Sequence, residues 1–172
     1  MIYKLFKILH SPTKMEVLFV KDNPQAVAPT KGTPYAVGYD ITAISVYKKL
    51  SEKTTLYDTG IKVQPPQGYY TEILPRSSMT KTGYCLSNSV GTIDSDYRGT
   101  LLIALTRIDE GFPELTLPFT KCQLVLRRHE DYILREVDTL SDTVRGDGGF
   151  GSTDKKVLTS TIPEVTLQNS FC

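Results

Sequence analysis

Through most of the middle of the chain, apolar and polar residues alternate with a period of two, which is strand patterning rather than helix patterning. Residues 16–20, EVLFV, form a short β-rich run, and KDNPQAVAPTKGTP after it reads as a loop heavy in proline, glycine and asparagine. PYAVGYDITA, residues 34–43, suits a strand edge. TTLYDTGIKV (54–63) and GYYTEIL (68–74) alternate as half-buried strands do. Between them lies QPPQG, whose prolines exclude a central strand and fit a turn. In LSNSVGTIDSDYRG, residues 86–99, apolar and turn residues mix at a spacing that predicts a β-hairpin. GTLLIALTR (99–107) predicts a buried strand, and LTLPFTKCQLVLRRHE continues the pattern. REVDTLSDTVRGDGGFGST then passes from a polar loop into a glycine-rich arm. The pattern predicts an all-β domain.

Composition narrows the function classes. A chain of 172 residues fits one domain and buries a real core without staples. A formal net charge of +1 gives no field that would favour nucleic acid. The three cysteines, Cys85, Cys122 and Cys172, are odd in number and lack CxxC spacing. This argues for an intracellular, reducing compartment, cytoplasm or nucleus, over a disulfide framework or zinc site. Neither His10 nor His129 sits in a catalytic setting, so any chemistry must come from carboxylates, cations and backbone. No apolar run approaches the roughly 20 residues that a membrane span needs. MIYKLFKILHSPTK carries Lys4, Lys7 and Lys14 but no small-residue cleavage site, and is expected to be an N-terminal extension rather than a secretory signal.

Several short stretches carry candidate chemistry. Gly38 stands two positions before Asp40, an arrangement that suits a carboxylate facing a site at a strand edge. In PRSSMT, Pro75 stiffens the entry and Arg76 offers a planar fork for phosphate oxygens. Ser77 and Ser78 add hydroxyls there, and turn amides can complete an anion nest. The plainer reading is a solvated turn capped by a serine. The 86–99 stretch offers Asn88, Gly91, Thr92, Ile93, Asp94 and Tyr97, with Gly91 and Gly99 allowing close backbone approach to a ligand. In the arm, Arg145 can grip a terminal phosphate, Phe150 can stack on a base, and Ser152 and Thr153 can donate to phosphate oxygens, with Gly151 between them. The arm's glycines cannot hold a shape unaided, so ligand contact must supply the ordering. It is not a phosphate-binding P-loop, because no GK[ST] follows them.

These stretches, in this order, resemble the five motifs of the trimeric dUTPases. The resemblance runs from about residue 36 to residue 153. It implies a jelly-roll (β-clip) barrel with a flexible glycine-rich arm, assembled as a homotrimer whose active sites draw on all three chains. It also implies hydrolysis of dUTP to dUMP and pyrophosphate with Mg²⁺, limiting uracil incorporation into DNA and supplying dUMP. On that pattern Asp94 orients and deprotonates the attacking water, and Asp40 reaches the metal through water while substrate phosphates hold most of it. Arg76, Ser77, Ser78, Gln123 and Arg145 would stabilise charge. Asn88 and the backbone around Gly91, Thr92 and Ile93 would read uracil, and Tyr97 would pack on the sugar. Phe150, Gly151, Ser152 and Thr153 would close the site. No nucleic-acid or membrane partner is expected.

Two departures bear on the alternatives. Ser78 stands where most dUTPases have glycine, as in the related dCTP deaminases. Those enzymes share the Ile-Asp and aromatic-x-Gly pattern but carry a catalytic glutamate ten residues after the aspartate. Here that position is Ala104, so nothing shuttles protons to a cytosine. Lys121 and Cys122 depart from the usual residues before Gln123. A non-catalytic, dUTPase-like regulatory protein is the other alternative, and the intact motif residues argue against it. The expected layout is an extension at 1–14, a barrel core at 15–141, the arm at 142–154 and a tail at 155–172.

Overall fold

The computed structural model describes residues 14–150. The chain divides into two units, 1–131 and 132–172. In the first unit the described residues form ten strands. They are β1 (Leu18–Lys21), β2 (Tyr39–Ala43), β3 (Ser45–Lys49), β4 (Thr54–Asp58), β5 (Ile61–Gln64), β6 (Tyr69–Pro75), β7 (Tyr84–Leu86), β8 (Gly91–Ile93), β9 (Leu102–Arg107) and β10 (Phe119–Arg128). One 3-10 turn, Ser77–Lys81, follows β6. The fold is all-β, as the alternation predicts.

Two four-stranded antiparallel sheets, ordered β2-β10-β6-β8 and β3-β4-β9-β7, contain most of the strands, and β1 pairs with β5 as a separate ribbon. The core lies between the two sheets. Ile41, Ile73, Cys122 and Leu124 contribute from one sheet, and Tyr57, Ile103, Leu105 and Leu86 from the other. Tyr57 meets Phe119 edge-on across the interface, with ring centroids 5.0 Å apart. Ile41, Ile73, Ile103 and Leu105 are essentially sealed from solvent, and truncating any one to alanine would cost about 2–5 kcal/mol. Burial also pushes the Cys122 thiol up to about 12, so it packs as a small hydrophobe.

Three elements differ from the sequence pattern. Residues 54–63 are two strands. Gly60 adopts a φ of 64°, the Asp58 carboxylate accepts its amide at 2.8 Å, and the buried Thr59 hydroxyl donates to the Leu101 carbonyl at 2.8 Å. These contacts bend the chain out of the β4 ladder and let β5 pair with β1. β3 is a strand that the alternation does not mark, because four of its five residues are exposed. The 86–99 stretch is not a hairpin. β7 pairs with β9 and β8 with β6, so the chain changes sheets between them. The change is made by Ser89 at φ 59°, with its amide on the Leu86 carbonyl at 3.2 Å. QPPQG is the expected turn: the Tyr69 amide donates to the Pro66 carbonyl at 3.1 Å, and Gly68 takes a φ of 77°.

In the second unit, residues 143–148 form linked turns. The Gly146 amide donates to the Thr143 carbonyl and hydroxyl, and the Gly148 amide to the Arg145 carbonyl. Of the positions expected to matter, Gly151, Ser152 and Thr153, residues 1–13 of the extension and the tail at 155–172 lie outside the described residues.

Candidate active site

The first group of site residues forms on the β2-β10-β6 part of one sheet. Asp40 of β2 pairs in register with Gln123 of β10, which pairs with Leu74 of β6. Directly paired residues on antiparallel strands share a face, so the Asp40 carboxylate and the Gln123 amide stand side by side. Arg76, just past β6, turns back to join them. One guanidinium nitrogen lies 3.1 Å from Asp40 Oδ2, another donates to the Thr120 carbonyl at 3.0 Å, and the Arg76 amide donates to the Lys121 carbonyl at 2.9 Å. The Asp40 side chain is only 17% exposed, so the ion pair is partly shielded from water. Arg76 is thus a tie between β2, β10 and the 3-10 turn as well as a fork, with N–H groups left over for an anion.

The turn itself corrects the serine-cap reading. Arg76 is its N-cap, and no side chain caps it. The Ser77 hydroxyl is therefore not spent on a cap, and Thr80 bonds the Ser77 carbonyl instead, at 2.7 Å. An open groove of about 740 Å³ borders this group, lined by Arg76, Ser77, Met79, Tyr84, Ile108 and Phe112 among others. Ile108 and Phe112 carried no functional signal in the sequence, because they come from the loop after β9.

Gly38, at the entry of the edge strand that carries Asp40, has a further task. A Cβ there would overlap the Gln123 amide, whose Nε2 donates to the Pro75 carbonyl at 3.2 Å. The glycine leaves room for that side chain to lie across the β2 entry. Sequence reasoning could not find this, since the partners are 85 positions apart.

The second group sits at the other edge of the same sheet, on β8 and the loop after it. Thr92, Ile93, Asp94 and Tyr97 line a cavity of about 150 Å³ with Thr100 and Leu102. Asn88 is exposed and does not line this cavity. A Cβ at Gly99 would overlap the Tyr97 ring, and one at Gly91 would stand tight against Ile73, 3.1 Å from its Cβ, so internal packing also favours glycine at both positions.

The two groups are separate within one chain. From β2 to β8 is three strand spacings, about 14 Å, and from the Asp40–Gln123–Leu74 row to the Thr71–Ile93 row is three residues, about 10 Å along the strands. The diagonal between the backbones that carry the two groups is about 17 Å. In the second unit, the Arg145 Nε donates to the Gly148 carbonyl at 2.9 Å and the Phe150 ring is fully exposed.

Among the described residues no three His, Cys, Asp or Glu side chains converge on a point that could hold a metal ion. Single carboxylates remain as hard oxygen donors. Asp40, fixed at one oxygen by Arg76, fits a contact to Mg²⁺ through a metal-bound water, the usual manner for a cation that keeps its waters and is held mainly by substrate phosphates.

Comparison with known proteins gives a consistent picture. A family model described as dUTPase matches residues 24–154. A deoxyuridine 5'-triphosphate nucleotidohydrolase from Finegoldia magna is 36% identical over 144 residues, covering 81% of this chain and 98% of that protein. One from Escherichia phage T5 is 35% identical, covering 74% and 92%. Among solved structures, a Staphylococcus bacteriophage 80alpha dUTPase with dUpNHpp superposes with a TM-score of 0.67 at 20% identity, over 80% of this chain and 97% of that one. A dUTPase from phage phi11 of S. aureus, described for its coordination of a structural Mg(II) ion, gives 0.62 at 19% identity, over 74% and 99%. With a family match across three-quarters of its length and relatives above 30% identity, the chain belongs to the dUTPase family.

Proposed function

We propose that this protein hydrolyses dUTP to dUMP and pyrophosphate, in a homotrimer whose sites are built between chains. The observation that carries this reading is the placement of Asp94 and Tyr97 on one small cavity in a chain of the dUTPase family. A carboxylate beside a cavity that admits a base or sugar can orient a water toward the α-phosphorus, and no covalent intermediate is needed. A carboxylate is a weak base toward water. Most of the rate therefore comes from positioning and from charge stabilisation. Arg76, Ser77, Ser78 and Gln123 supply donors along the phosphate chain, and the arm adds a cation at Arg145 and an aromatic face at Phe150, with Gly151, Ser152 and Thr153 next in the sequence. Bound Mg²⁺ would supply positive charge to the phosphate oxygens, with Asp40 as its protein contact through water.

The separation of about 17 Å between the two groups supports a shared site. On this reading a phosphate chain gripped by Asp40, Arg76 and Gln123 of one copy meets Asp94 on the loop of another copy. A cavity of about 150 Å³ is also below the roughly 300 Å³ at which ligand pockets begin, which supports walls supplied by a second chain. The free thiols Cys85 and Cys122 fit a reducing, intracellular compartment.

The test is direct: incubate the protein with dUTP, dCTP, dTTP or UTP plus Mg²⁺ and identify the products. The proposal expects dUMP and pyrophosphate from dUTP, with little turnover of the others. Deoxyuridine products from dCTP would mean a deaminase, and no turnover at all would leave a binding protein.

A further inference from the structure

We propose that Gly99, together with the Thr100 carbonyl, positions the Tyr97 ring and so sets discrimination between deoxyribose and ribose; this rests on the reading that the cavity beside Asp94 receives the substrate's sugar. Gly99 does not have the left-handed φ seen at Gly60, Gly68, Gly83 and Gly146, so that backbone demand is absent here. Space is what requires glycine. A Cβ at Gly99 would overlap the Tyr97 hydroxyl and Cζ and stand 2.9 Å from Cε2. The ring folds back over the glycine, and its hydroxyl donates to the Thr100 carbonyl at 3.2 Å.

The rest of the loop fixes the base from which the ring projects. The Tyr97 amide donates to the Asp94 carbonyl at 3.1 Å, and the Arg98 guanidinium donates to the carbonyls of Ser95 and Tyr97, both at 2.8 Å. The backbone of 94–98 is therefore tied, while Tyr97 is 42% exposed, with its ring tip against Gly99 and its hydroxyl on the Thr100 carbonyl. A methyl group at position 99 would displace the ring from the wall of the cavity without cutting the bonds that hold Asp94. Discrimination would suffer more than chemistry, because the wall that excludes a ribose 2′-hydroxyl would have moved.

The experiment compares kcat/KM for dUTP and UTP in the full-length protein and in Gly99→Ala, Tyr97→Phe, Tyr97→Ala and the Tyr97→Ala/Gly99→Ala double variant, with melting temperatures alongside. The expected result is that Gly99→Ala narrows the preference for dUTP over UTP by about tenfold, the scale of loss when a positioned group shifts by a fraction of an ångström. In the Tyr97→Ala background the same change should alter the preference less than about twofold, since coupled sites do not add. Tyr97→Phe, which adds no atom and loses only the hydroxyl bond, should narrow the preference several-fold, and it decides the matter if Gly99→Ala does not fold. An unchanged preference in Gly99→Ala or Tyr97→Phe, or an equal loss in the Tyr97→Ala background, would overturn the inference. Failure of the unaltered protein to hydrolyse dUTP would instead overturn the functional reading beneath it.

Discussion

The two groups of site residues are built in opposite ways. Asp40, Gln123 and Arg76 come from β2, β10 and the end of β6, 36 to 83 positions apart, and backbone ladders hold them. Asp94 and Tyr97 come from one loop of a few residues at the sheet edge, closed by its own bonds. The first arrangement is anchored in the sheet ladder, whereas the second is held by bonds within its own loop. On the proposed function, the sheet-borne group is the grip on the phosphate chain, and the loop at the sheet's margin is the reader of base and sugar.

The largest effect should come from the loop. Asp94→Asn keeps shape and loses the base, so kcat for dUTP should fall by about 10³-fold or more, with binding of dUpNHpp by calorimetry nearly unchanged. Equal losses in both would make Asp94 a structural residue. On the sheet side, Arg76→Ala removes an ion pair and a carbonyl bond at once. It should cost about 1–3 kcal/mol of stability and about 100-fold in kcat/KM, so rate and melting temperature fall together as they do not for Asp94→Asn. A variant that loses activity without losing stability would blur the contrast between grip and reader. Next, Gly38→Ala should raise KM for dUTP about tenfold by displacing the Gln123 amide, and Gln123→Ala should absorb most of that effect in the double variant.

The smallest effect lies outside both groups. Glu72 accepts from Arg127 Nε at 2.7 Å and from the Tyr70 hydroxyl at 2.9 Å. The Arg127 bond is the main reason its carboxyl sits below the ordinary value of 4.5. A depressed folded value gives a stabilisation that is present above the unfolded value and is lost as pH falls through the folded one. Glu72→Gln should therefore lower the melting temperature by about 1–3 °C at neutral pH, the gap should close as pH drops below 4.5, and dUTP hydrolysis should not change. A gap that persists in acid would show that the carboxylate's charge is not what matters there.

Much of this was legible in the sequence, and what was hidden shares a cause. Period-two alternation marks the strands because one face of each is buried, and the order of short stretches around Asp40, Arg76, Asp94 and Gln123 is enough to name the family. Alternation could not mark β3, whose residues are mostly exposed, or the change of sheet at Ser89, which depends on where β6 and β9 already lie. Gly38 marked a strand edge with a carboxylate facing a site and also makes room for Gln123, and Gly99, which offered access for a ligand, also makes room for Tyr97. Such spaces are set by side-chain directions after folding. Glu72 and Arg127, 55 positions apart, meet only once β6 and β10 are in register.

The central claim is that the grip of one chain works with the reader of another, and mixing two inactive variants tests it most directly. Arg76→Ala and Asp94→Asn proteins would be unfolded together, refolded at equal amounts and assayed for dUTP hydrolysis, with each refolded alone as the control. If each site takes its grip and its reader from different copies, random assembly leaves about a quarter of the sites with both parts intact, and about that fraction of the original activity should return. If mixed assemblies form and activity stays at the level of the separate variants, both parts come from the same chain, and the shared site is wrong.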